Sequence, residues 1–162
     1  MAECQGCDCG GKGMCAGVSA VLVPTLVVIA GPWVLLRAAG EPLQIASGWP
    51  MWMGGWLVFN GLALAGWSAR LVSRAELMVC GPYRHVRNPM LLGLFLILLG
   101  ETVLFRSWVL WVYTLVIVTA AHLMVLRWEE PNLAKRFGSV YDTYRQRVPR
   151  WIPAINPQPV TK

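Results

Sequence analysis

The sequence predicts an all-α fold: an integral membrane helical bundle of about four transmembrane helices with a C-terminal amphipathic cytosolic helix. Three observations predict it. The composition is apolar and poor in charge, the apolar residues gather into helix-length runs, and the basic residues fall almost entirely on one side of those runs. Of 162 residues, 56% are hydrophobic and 14% charged, with nine Trp, where a soluble domain carries about 25% charged residues.

Residues 16–36 and 49–69 are each 21 residues long without one ionisable side chain. At about 1.5 Å of rise per residue, each run spans roughly 30 Å, the thickness of a bilayer core. The second run carries Gly54, Gly55, Gly61, Ala65 and Gly66, small residues that let helix backbones approach. A third apolar region, 90–126, is too long for one helix and is interrupted by Glu101 and Arg106. It reads as a hairpin of residues 90–105 and 107–126, turning at Arg106 and Ser107, with Glu101 near enough to pair with Arg106.

Four spans put both termini on one side. Lys12, Arg70, Arg74, Arg84, Arg87, Arg127, Lys135, Arg136, Arg145, Arg147, Arg150 and Lys162 lie on that side, against only Arg37 and Arg106 on the other. The positive-inside rule then makes both termini cytosolic. Trp33, Trp49, Trp52 and Trp108 mark the outer boundary, Trp67 and Trp128 the inner one, as aromatic belts do. The net charge of +6 is thus topology and attraction to anionic headgroups, not a nucleic-acid footprint. No cleaved signal peptide is expected, because the first apolar run is too long for one and the residues before it are acidic and Cys-rich.

Three units follow from this reading: a Cys- and Gly-rich cytosolic tail over 1–15, a membrane domain over 16–153, and a C-terminal tail over 154–162. In the first, Cys4, Cys7, Cys9 and Cys15 invite soft metals in a reducing cytosol, but no hydrophobic residues surround them, so no metal site is expected. The run 6–13 nearly spells a phosphate-binding loop, yet Gly13 stands where Ser or Thr is required and no strand precedes it.

Residues 127–153 read as one surface helix lying along the inner leaflet. Pro131 suits its first turn, and Glu129 and Glu130 suit the positive end of its dipole. Leu133, Phe137, Val140, Tyr141, Tyr144 and Val148 form an apolar stripe, with Lys135, Arg136, Asp142 and Arg145 opposite, and Pro149 and Pro153 end it.

Polar chemistry has two places to sit. The segment 76–93 packs a Gly-Pro turn, Arg84, His85, Arg87 and an Asn-Pro step against the third span, and the segment after the fourth span opens on Glu129 and Glu130. One hairpin brings guanidinium and carboxylate together, which suits a zwitterion: an amino-acid moiety needs a cation for its carboxylate and an anion for its ammonium.

At these residues the chain resembles the isoprenylcysteine carboxyl methyltransferase and phospholipid methyltransferase superfamily, membrane enzymes that use S-adenosylmethionine. The matching residues are Gly81 and Tyr83; Arg87, Pro89 and Gly93; then Glu129, Glu130, Leu133, Phe137, Gly138, Tyr141, Tyr144, Val148 and Pro149. The resemblance covers residues 76–153, about half the chain. It implies a cofactor pocket of Leu77, Met78, Tyr83, Asn88, Pro89 and Glu129, to which the neighbouring Glu130 is added. Arg87, Asn88 and His122 are the candidate catalytic residues, His122 because it is an ionisable residue inside a span. Asn88 stands where the family has His, Leu91 where it has Tyr, and Val125 where prenylcysteine enzymes carry a substrate-binding Arg.

The implied reaction is in-line displacement at a sulfonium methyl, which demands alignment and a dry, preorganised pocket. The acceptor is a lipid or small lipophilic molecule; a carboxylate needs no base, whereas an amine or thiol calls on His85 or His122. His122 lies seven residues before Glu129, which in a regular helix puts both on one face about 10 Å apart. Two other readings compete: a membrane reductase of the sterol-reductase type using NADPH, and a non-enzymatic scaffold or metal-handling protein.

Overall fold

The computed structural model describes residues 14–41, 44–72 and 81–153, with side chains from residue 26 onward except that of Val72. Cys4, Cys7, Cys9, the side chain of Cys15, Leu77, Met78 and the tail 154–162 lie outside the described residues. Every described element is helical, with no strand among them. Helix α1 is Met14–Ala38, α2 Trp49–Val72, α3 Pro89–Phe105 and α4 Trp108–Met124. A 3₁₀ turn, Gly81–Arg84, precedes α3; a π turn, Val125–Glu129, joins α4 to α5, Glu130–Phe137; and α6 is Ser139–Arg147.

The hairpin turn falls where the charges interrupt the apolar run. Arg106 ends α3 in the left-handed region, at φ 48°, and the Ser107 hydroxyl accepts the Leu110 N–H to start α4, the ordinary role of a serine N-cap. Glu101 forms no ion pair with Arg106: its Oε2 is buried and has no hydrogen-bond partner. The left-handed turn sends the Arg106 side chain outward, where it is exposed.

Helices α2 and α3 run antiparallel and meet backbone to backbone. A Cβ on Gly61 would stand 2.6 Å from the Gly93 carbonyl oxygen, and one on Gly54 2.8 Å from that of Gly100. Only glycine permits this approach. Val28 of α1 packs with Leu94, Ile97 and Leu98 of α3 to form the core. Polar bonds complete the bundle: the Tyr113 hydroxyl donates to the Val27 carbonyl at 2.8 Å, and the buried Thr102 and Thr114 hydroxyls meet at 3.1 Å.

Among the described residues, the unbroken helical run Trp108–Phe137 is long and apolar enough to cross a membrane. Only 17% of its most apolar window is buried, the reverse of a soluble core helix. Leu26–Ala38 and Pro89–Phe105 are shorter apolar helices. Exposed Trp33, Trp49, Trp52 and Trp108 gather at one end of the bundle, and exposed Trp67 and Trp128 at the other.

The C-terminal region departs from the single surface helix expected. It is continuous with α4 on one side and broken at Gly138 on the other, where φ is +54° and ψ −132°, a conformation open to glycine alone. The π turn has a local cause. Pro131 has no N–H and its ring would clash with the carbonyl four residues back; the Glu130 N–H instead reaches the Val125 carbonyl, five residues back. Tyr141, Tyr144 and Val148 form a buried cluster with Leu133, Ala134 and Phe137 against it. Val140, expected in that stripe, is 49% exposed, because the break at Gly138 rotates α6 relative to α5.

Candidate cofactor site

The site lies at the end of the bundle where α2 stops and α3 begins. Its scaffold is an ion cluster around Glu130. Arg87 Nη1 donates to Glu130 Oε1 at 2.9 Å, and Arg150 forks onto both oxygens, Nε to Oε1 at 2.7 Å and Nη2 to Oε2 at 2.8 Å. The Arg87 and Glu130 side chains are each only 12% exposed. Arg87 also donates Nε to the Val148 carbonyl at 2.8 Å and its N–H to that of Pro149 at 3.0 Å. The hydrogen bonds that Arg150 donates to Glu130 raise its pKa above its ordinary value. Arg87 and Glu130 are thus committed to each other and to the C-terminal strap.

Glu129 is the other half of the acidic pair and behaves differently. It is exposed and makes no ion pair with a described residue. It lies close enough to Tyr83 for its charge, after burial, to help push that phenol up to about 12. Tyr83 is therefore a neutral hydrogen-bond donor at any physiological pH. The turn that carries it is pinned from α6, whose Tyr144 hydroxyl donates to the Tyr83 carbonyl at 2.9 Å. Burial raises the Tyr144 phenol as well.

Asn88 occupies the N-cap position of α3 but makes no side-chain capping bond. Its Nδ2 is buried without a partner among the described residues, an arrangement that costs about 1–3 kcal/mol unless something accepts from it. Pro89, fully buried at the first helical position, locks the Asn88 backbone. Beyond it the first-turn N–H groups of α3 have no intrahelical partners, so Asn88 and the helix end together present donors to an anion. Donors at Asn88 and a carboxylate at Glu129 are the two kinds of group that an amino-acid moiety needs.

His122 is not on the Glu129 face. Its Nδ1 accepts from Trp151 Nε1 at 3.1 Å, and the adjacent Arg150 holds Glu130. The extra residue of the π turn gives Glu130, not Glu129, the register expected from seven-residue spacing. His85 is exposed in the turn after the 3₁₀ segment. Val125, at the position of the prenylcysteine enzymes' Arg, is 0% exposed, so no basic side chain acts from there. Leu91, in the place of the family's Tyr, packs against the core. Sequence reasoning missed Arg150 and Trp151; the signal was a basic and an aromatic residue bracketed by Pro149 and Pro153.

A crevice of ≈ 190 Å³ opens beside the site, lined by Val28, Ile29, Leu62, Ala65, Gly66, Ala69, Met90, Leu94 and Ile97. Its lining is apolar. Met90 connects it to Asn88 through a single intervening residue.

Residues 69–140 match the family model described as phospholipid methyltransferase. No curated protein and no solved structure matches the chain. The matched segment starts in the last turn of α2 and ends in the first turn of α6. It contains Tyr83, Arg87, Asn88, Glu129 and Glu130, and over that segment the chain is similar to the phospholipid methyltransferase family.

Proposed function

We propose that the protein transfers a methyl group from S-adenosylmethionine to a lipophilic acceptor held in the bilayer. The observation that carries this reading is the pairing of an unpartnered buried donor, Asn88 Nδ2, with a free carboxylate, Glu129, inside the family-matched segment. Asn88 and the first turn of α3 hold the cofactor carboxylate, Glu129 its ammonium, and Tyr83 donates a further hydrogen bond. Pro89 supplies an apolar wall, and the resemblance adds Leu77 and Met78, which lie outside the described residues, to the cofactor-binding set. Glu130 and Arg87 serve this pocket by fixing its frame.

When bound, S-adenosylmethionine supplies a methyl group on a positively charged sulfur, open to displacement by a nucleophile. The chain's task is alignment and exclusion of water, for which an apolar pocket and a fixed turn suffice. The crevice bounded by Val28, Leu62, Met90 and Leu94 receives the apolar part of the acceptor and directs its reactive end toward Asn88. A carboxylate acceptor needs no base; for an amine, His85 is the candidate proton carrier.

In this reading residues 16–153 are the catalytic unit, flanked by the tails 1–15 and 154–162. Helices α1 to α4 span the bilayer, with both termini and the site in the cytosol. Reporter fusions after residues 12 and 155 then report cytosol, and one after residue 44 the opposite side.

Thermal unfolding of the detergent-purified protein with S-adenosylmethionine or its demethylated product tests the cofactor. Saturating cofactor at 100 times its Kd stabilises by about 2.7 kcal/mol. Stabilisation by NADPH in its place selects a reductase, and stabilisation by neither removes both enzymes. Labelled methyl transfer into a total lipid extract then identifies the acceptor.

A further inference from the structure

Beyond the family-matched segment, residues 148–151 form a strap across the site end of the bundle. Arg87 holds the Val148 and Pro149 carbonyls, and Glu130 holds Arg150. Trp151 reaches furthest. Its indole Nε1 donates to His122 Nδ1 at 3.1 Å, with ring centroids 5.7 Å apart. The same ring stands 5.3 Å from that of Phe95. Phe95 follows Asn88 by seven residues on α3, and His122 precedes Glu129 by seven on the other arm. At about 1.5 Å of rise per residue, both lie roughly 10 Å deeper in the bundle than the cofactor-side residues. Trp151 therefore fills the cleft between the hairpin arms, beneath the site.

Helix α3 has two flanks by which a molecule in the bilayer can approach Asn88. Leu94 and Ile97 face the crevice toward α1 and α2, which is apolar and open. Phe95, turned about 100° from Leu94 by helix geometry, faces α4. That second flank is occupied by a ring fixed on its polar edge by His122 and on its apolar face by Phe95.

We infer that Trp151 is a specificity-determining residue: it closes the α3–α4 flank and leaves the α1–α2–α3 crevice as the acceptor's route. His122 and Arg150 are positioning residues that hold it there. The acceptor's identity as a methyl acceptor rests on the proposed function; the closed flank does not.

The test uses the full chain in nanodiscs containing phosphatidylcholine with a photoreactive diazirine in its acyl chain. Residue-resolved mass spectrometry locates the crosslinks in the wild type, Trp151→Ala and Trp151→Phe. The wild type takes label along the crevice, at Leu62 and Met90, and little at Phe95 or the cleft side of His122. Removing the ring raises labelling at Phe95 and His122 roughly fivefold, since an indole is the bulk excluding lipid there. Trp151→Phe keeps a ring but not the donor, and gives an intermediate gain; it also serves if Trp151→Ala does not fold. Equal labelling of Phe95 and His122 in all three proteins overturns the inference. Labelled methyl transfer into a lipid extract supplies the second readout: Trp151→Ala adds products, while titration with S-adenosylmethionine changes less than about threefold. An unchanged product pattern with an opened flank refutes the specificity role. Absence of cofactor binding in the wild type refutes the methyl-transfer reading alone, because the crosslinking does not depend on it.

Discussion

Arg150 and Glu130 meet through two parallel hydrogen bonds of 2.7 and 2.8 Å, and Arg87 adds a third to the same carboxylate at 2.9 Å. One carboxylate thus holds two guanidinium groups at the junction of α3, the π turn and the C-terminal strap. Its removal strands Arg87, whose side chain is only 12% exposed, and frees Arg150.

Glu130→Ala is expected to destabilise the protein by about 3–5 kcal/mol, the usual cost of breaking a buried pair from one side. Arg150→Lys keeps the charge but loses the fork, and should cost about 1 kcal/mol. Thermal unfolding in detergent measures both. Full stability of Glu130→Ala would show that the cluster contributes nothing to the fold.

Glu129 should give the opposite pattern. Glu129→Gln keeps the shape and removes the charge, so affinity for S-adenosylmethionine should fall roughly ten- to hundredfold, at about 1.5–3 kcal/mol for a charge-assisted bond. Its unfolding midpoint should stay within error of the wild type, because the side chain makes no ion pair with a described residue. Isothermal titration with circular dichroism as folding control decides this, and wild-type affinity in a folded variant would falsify the assignment.

Asn88→Leu separates stability from binding at the other end of the pocket. The substitution removes a buried donor with no partner, so the cofactor-free protein should hold or gain stability while cofactor affinity falls at least about tenfold. A variant that loses stability without losing affinity would make Asn88 a structural residue.

Two glycines on α2 make a matched pair of controls. At Gly61 a Cβ meets the Gly93 carbonyl oxygen at 2.6 Å, whereas at Gly66 it meets nothing within 4 Å. Gly61→Ala should cost about 1–3 kcal/mol through forced separation of α2 and α3. Gly66→Leu should fold normally, fill the crevice, and lower transfer to lipid acceptors roughly tenfold with cofactor affinity intact.

The buried phenols set the alkaline limit. A folded-state value of about 12 at Tyr83 lies above the value near 10 in an unfolded chain, so the folded protein holds that proton more tightly. The associated stability is complete below about pH 10 and is lost as pH rises toward 12. Absorbance titration of wild type against Tyr83→Phe should show one phenol missing from the late-titrating group. Ionisation of Tyr83 near pH 10 in folded protein would contradict its burial.

The helices and the hairpin turn were legible because membrane-length apolar runs and a central Arg-Ser step leave few alternatives. The motif residues also pointed to one end of the bundle, where Tyr83, Arg87, Asn88, Glu129 and Glu130 do converge. The division of labour within the acidic pair was not legible. It depends on a backbone register that Pro131 alters, and hydrophobic periodicity says nothing about a single extra residue. The break at Gly138 was similarly hidden, since Leu133, Phe137, Tyr141 and Tyr144 continue a helical spacing across it. The strap escaped because Arg150 and Trp151 belong to no periodic pattern and act only through long-range contacts.

The π turn has a consequence for how this helix tolerates insertion and deletion. Removing one residue between Val125 and Glu129 would absorb the extra residue, so that the backbone relaxes to regular α-helix while Glu130 keeps its face toward Arg87 and Arg150. Straightening the turn with the residue count unchanged would do the opposite, swinging everything downstream by about 100°. The carboxylate now clasped would then turn outward, and its neighbour would take its place. Every named motif residue would survive such a change, yet the pocket would lose its anion. Function at this end of the molecule is therefore written partly in how the backbone is wound, and not in residue identity alone.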